Sequence, residues 1–102
     1  MKKKTALVSK TIFVFIHIDV TNGEYSYDCK SVHEVTIDAN KNKGNQINAF
    51  GEDHAKNFYS GKGEEDEVGD GIYYFNGGEV ATELVRADEI TEAEYNVMKK
   101  FI

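Results

Sequence analysis

The side chains best equipped for chemistry are few: one cysteine, Cys29, and three histidines, His17, His33 and His54. Cys29 and His33 stand four apart, a spacing that lets a thiolate and an imidazole share a metal ion from one face of a helix. On a strand, four residues span about 13 Å, whereas zinc ligands sit about 2.0–2.3 Å from one ion. The sequence around them reads as strand, so the two do not share a metal. His54 approaching His33 would add only a second nitrogen, an incomplete set. No metal site is expected.

His17 and Asp28 supply two of the three groups of a catalytic triad. They are expected to face each other across a hairpin, which favours a charged histidine. No nucleophile follows on that face. Cys29 and Ser31 alternate to the other side, and Ser26 lies diagonally. A cross-strand ion pair is the role that remains. His33 and His54 read as core or rim histidines. An enzymatic reading needs them to converge on a cleft with Cys29 or an acid.

The glycine- and acid-rich stretch "GKGEEDEVGDG" (61–71) invites a calcium reading. Within it, "DEVGDG" carries acids at the first and fifth positions of an EF-hand-like loop and glycine at the sixth. Val68 stands at the third position and Gly77 at the twelfth, where oxygen ligands are required. No G-x-x-x-x-G-K-[ST] pattern is present, and Glu64, Glu65 and Asp66 would repel a phosphate. No cofactor is therefore expected. Tyr25, Tyr27, Tyr73, Tyr74 and Phe75 could stack on bases, but stacking platforms come with Lys and Arg. Core or protein-interface aromatics fit them better.

Charge sharpens that exclusion. Residues 1–51 hold seven lysines against five acidic residues, and residues 52–102 hold five basic residues against thirteen acidic ones, for a net charge of −6. An acidic second half argues against direct nucleic-acid binding. It leaves a basic protein partner as a use for Glu64, Glu65, Asp66, Glu67 and Asp70, which mimicry of a nucleic acid would also explain. Hydrophobic residues at 40% and charged residues at 29% are enough for a folded chain, read as a single α+β domain over 1–102. A lone cysteine forms no intrachain disulfide, which suits a reducing compartment. The lysine-led N-terminus has its apolar run broken by Ser9 and Lys10, and no A-x-A-like cleavage site follows. No run reaches the ~20 apolar residues of a membrane span. A cytoplasmic protein without membrane contact is expected.

These side chains must be positioned by a few elements. "TIFVFIHIDV" (11–20) is apolar on both parities. Asn22-Gly23 marks a type I′ hairpin turn, with Thr21 opposite Glu24 and Val20 opposite Tyr25. One face then gathers Ile12, Val14, Ile16, Ile18 and Val20 as core. The other is polar near the turn and carries an apolar cluster of Phe13, Phe15 and Val32. Residues 39–46 read as a polar loop. Ile47, Phe50, His54 and Phe58, with Ala55, make a helical stripe starting between residues 46 and 52 and stopped by Gly61. "IYYF" and "EVATELVRADEI" form a second hairpin about either Asn76-Gly77 or Gly77-Gly78. Thr91 and Glu94 form a capping box for a last helix, with a buried stripe of Tyr95, Met98, Phe101 and Ile102.

The predicted fold is therefore α+β in the order ββαββα. It is an antiparallel sheet of two hairpins with both helices on one face. If both helices lie inside, Phe13, Phe15 and Val32 are exposed, and exposed apolar patches mark association. The function this favours is a small non-catalytic protein-binding or adaptor protein, self-associating as a homodimer through its sheet. The alternatives are an acidic inhibitor or nucleic-acid mimic bound to a basic partner, and a small enzyme using His33 and His54.

Overall fold

In a computed structural model of the chain, which describes residues 8–58, 64–65, 71–75 and 78–102, the apolar run lies in strand β1, Ser9–Asn22. Its even residues, Ile12 to Val20, are at most 2% exposed, and Phe13, Phe15, His17 and Asp19 are half-buried. The pleat thus sorts the two parities as expected. Each buried aliphatic side chain contributes about 1.5–3 kcal/mol relative to an exposed one.

β1 pairs antiparallel with β2, Tyr25–Asp38. The register differs from the predicted one by two residues: Asn22 faces Tyr25, and Val20 faces Tyr27. The two-residue loop is Gly23-Glu24, with Gly23 at φ 60. Glycine takes the first central position, where a positive φ is needed, and Asn22 stays in the strand. The Gly23 N–H also bonds the Glu79 carbonyl at 3.1 Å, tying this turn to the second hairpin. A two-residue slip keeps every side chain on its predicted face, because the pleat has period two.

The polar segment after β2 is shorter than predicted. Helix α1 spans Lys43–Lys56, and the Asn42 side chain caps it by accepting the Asn45 N–H at 2.7 Å. Glu52 and Asp53 therefore sit inside the helix. It ends at Asn57, before Gly61, which lies outside the described residues. Ile47, Gly51 and Ala55 are buried, with Phe50 and Phe58 packed beside the core.

The second half adds β3, Glu64–Glu65, β4, Ile72–Phe75, and β5, Val80–Ile90. The sheet order is β2-β1-β5-β4-β3. Phe75 faces Val80, and Asn76 and Gly77 of the predicted turn lie outside the described residues. β5 runs antiparallel along β1, with a register shift between His17 and Ile18. Tyr73 and Phe75 are buried, so this strand gives its aromatics to the core. The Tyr73 hydroxyl donates to Glu52 Oε2 at 2.9 Å, joining β4 to α1.

Helix α2, Glu92–Met98, carries both halves of the predicted capping box. Thr91 Oγ1 accepts the Glu94 N–H at 3.1 Å, and Glu94 Oε1 accepts the Thr91 N–H at 2.8 Å. The helix does not lie where predicted. α1 covers the even face of β1, as the Thr82 hydroxyl bond to the Ala55 carbonyl shows. α2 lies on the odd face, with Tyr95 against Phe13. The two helices are thus on opposite faces of the antiparallel α+β sheet. α2 is also too short to bury its stripe. Phe101 lies beyond it and is 82% exposed, Ile102 is exposed, and Tyr95 and Met98 are half-buried. No helix among the described residues is long and apolar enough to cross a membrane.

Candidate functional site

Two groupings carry the predicted site residues. The first is the apolar cluster on the odd face. Val32 of β2 lies directly opposite Phe15, and Phe13 faces Glu34 one step along. The three are half-buried, and the cover comes from within the chain. The Tyr95 ring sits 4.7 Å from that of Phe13. The Arg86 guanidinium, opposite His17 on β5, lies 5.9 Å from the Phe15 ring centre, a cation–π contact. Arg86 also pairs with Asp88. Arg86 covers this cluster from β5, α2 packs over β1 and reaches β2, and Val32 stands on β2 at the sheet's edge.

That edge is β2. It is fourteen residues long and, among the described residues, hydrogen-bonded to β1 on one side only. The opposite end of the sheet is the two-residue β3. A long, regular edge strand presents a row of unpaired backbone groups, a template for another chain. Its odd-face side chains include Asp28, Lys30, Val32 and Glu34. Asp28 Oδ1 meets His17 Nε2 at 2.9 Å, so the predicted pair forms, diagonally, with Lys30 in the directly opposed place. Lys30 and Glu34 are exposed and take part in none of the ion pairs among the described residues.

No protein family, curated protein or solved structure matches this chain. The site is therefore read from its own geometry.

The second grouping lies on the even face, where β2 meets α1. Ser31 Oγ stands 2.7 Å from His33 Nε2. The His33 and His54 rings are 4.7 Å apart at 64°. Phe50 packs edge-on to His33 at 5.3 Å, and Phe58 edge-on to His54 at 6.4 Å. Burial pushes the His33 pKa below its ordinary value, and the neighbouring His54 pushes it further. Burial also lowers that of His54, against an opposing pull from Asp53. Both rings are therefore neutral at neutral pH, and His33 Nε2 can accept the Ser31 hydroxyl proton in a hydrogen bond. No group of three His, Cys, Asp or Glu among the described residues is placed to hold a metal.

Ser31 is the residue that sequence reasoning left out of this cluster. Its signal was available: two residues from His33 on a strand, it shares a face with it. Of the acidic group, the structure describes Glu64 and Glu65. Glu64 and Glu65 form β3 opposite Tyr74 and Tyr73, where a loop was predicted, and Glu64 is exposed. Asp66, Glu67 and Asp70 lie outside the described residues.

Proposed function

We propose that this chain is a small non-catalytic protein-binding or adaptor protein that self-associates through its sheet. One observation carries the reading: among the described residues the fourteen-residue β2 is paired on one side only and brings Val32 of the apolar cluster to that edge. Burying that edge would satisfy its backbone groups and extend the Phe15–Val32 contact across two chains. Sedimentation velocity from low to high micromolar concentration tests it. The expected result is a concentration-dependent shift from monomer to dimer. A strict monomer at high micromolar concentration would remove the reading.

A second reading, a small hydrolase, has one observation in its favour. A neutral His33 accepts the hydroxyl of Ser31 with His54 alongside, an arrangement of base and nucleophile. Activated ester probes test this reading. It expects turnover above buffer that disappears in His33→Gln. Wild-type protein that leaves the esters at the buffer rate removes it.

A further inference from the structure

We infer that two copies of this chain pair through β2 in an antiparallel register centred on Val32, joining their sheets edge to edge. This rests on the reading of self-association and specifies its geometry.

Among the described residues the even face leaves room for the pairing. α1 is seated on β5, where Gly51 closes on Leu84 and Ala87, and it reaches β2 at His33. Tyr25 and Tyr27, at the hairpin end of β2, are 77% and 47% exposed.

The odd face selects the register. In an antiparallel pair related by a twofold axis, opposite residues are equally far from the axis, so their side chains share a face. With the axis at Val32, Lys30 of each copy faces Glu34 of the other, and this happens twice. Val32 faces its own counterpart, so the Phe15–Val32 contact runs through the junction into the second copy. Asp28, already held by His17, faces Thr36. On the even face, Ser31 meets His33, Cys29 meets Val35, and Tyr27 meets Ile37.

Neighbouring registers fail on charge. An axis at Ser31 sets Asp28 against Glu34 and Lys30 against Val32. An axis at His33 sets Asp28 against Asp38 and Val32 against Glu34. Like charges directly opposed are destabilising, and opposite charges stabilise. Lys30 and Glu34 make no ion pair within the chain among the described residues, so both are free to make the intermolecular ones.

Charge exchange at these two positions tests the register. Lys30→Glu turns two attractive pairs into two repulsive ones and should weaken dimerisation by about tenfold or more. Glu34→Lys should do the same. An equimolar mixture of the two variants restores both attractive pairs and should form a heterodimer at wild-type strength. Both positions are exposed, and circular dichroism checks that each variant keeps the fold. Rescue in the mixture separates a charge effect from damage to either chain.

A wild-type dimer whose strength neither variant changes would overturn the register and leave self-association standing, through another surface. Variants that weaken the dimer without rescue on mixing would also overturn it. A wild-type monomer at high micromolar concentration would overturn both register and self-association. Lys30 and Glu34 would then be charges that keep the edge from pairing.

Discussion

Tyr95 of α2 lies against Phe13 of β1, ring centres 4.7 Å apart and planes at 41°, and through this contact the C-terminal helix closes on the outer sheet face. The capping box sets the first turn of α2, and Tyr95 is the residue directly after it. Tyr95→Ala removes a ring pair worth about 0.5–1.5 kcal/mol beyond its area. The expected outcome is local. Amide exchange over α2 accelerates, a dye for exposed apolar surface binds more strongly, and α1 keeps its protection. Unchanged exchange in α2 would show that other contacts hold the helix down.

How far the fold was legible in the sequence depends on which interactions decide each feature. The faces of β1 were readable, because strand alternation is local and a two-residue slip does not alter it. The β1–β2 register was not, because Asn22-Gly23 and Gly23-Glu24 are both good turns. The bond from Gly23 to Glu79, between segments distant in sequence, accompanies the second. The capping box of α2 was readable to the atom. The face on which α2 lands was not, because a seven-residue helix with one aromatic at its centre fits either side of a two-sided apolar strand. His33 and His54 were each identified, but only the packing of α1 on the sheet shows that they touch.

Gly51 is a second case where tertiary contact overrides local preference. A glycine within a helix costs about 1 kcal/mol relative to alanine. Here a Cβ would lie 2.8 Å from Leu84 Cδ2 and 3.0 Å from Ala87 Cβ. The Leu84 methyl can move, but the Ala87 Cβ is fixed to its backbone. Gly51→Val should therefore destabilise the protein by about 1–3 kcal/mol. Gly44, exposed in the first turn of α1, should behave oppositely, with Gly44→Ala stabilising by about 0.5 kcal/mol. Urea unfolding of the two variants checks the contrast. A Gly51→Val protein as stable as wild type would mean that α1 does not approach β5 this closely.

Thr82 is buried at 1% exposure, and its hydroxyl donates to the Ala55 carbonyl at 2.8 Å, fastening the end of α1 to β5. Thr82→Val preserves shape and removes the donor. The Ala55 carbonyl keeps the Phe58 N–H at 3.3 Å, so it is not orphaned. The loss should lie near the net value of one hydrogen bond, about 1 kcal/mol. Thr82→Ser should lose less of the bond and more of the packing. If Thr82→Val melts with wild type, the bond contributes nothing net.

The His33–His54 contact makes stability depend on pH with a defined sign. Both groups sit below the ordinary histidine value of 6.5 in the folded chain, chiefly through burial. Unfolding restores that value, so over the intervening range the unfolded chain binds more protons than the native one. Stability then rises with pH. The contribution is full above about pH 6.5 and is lost as pH falls through the lowered native values. Urea midpoints should therefore fall between about pH 7 and 5.5, before most carboxylates titrate. His54→Gln should flatten the slope twice over. It removes one titrating ring, and it removes the neighbour whose charge holds the His33 pKa down. Replacing both histidines should leave the midpoint nearly level across that window. A wild-type profile already level there would mean that the two rings take up protons as easily folded as unfolded, and that the packing of Phe50 and Phe58 around them is loose.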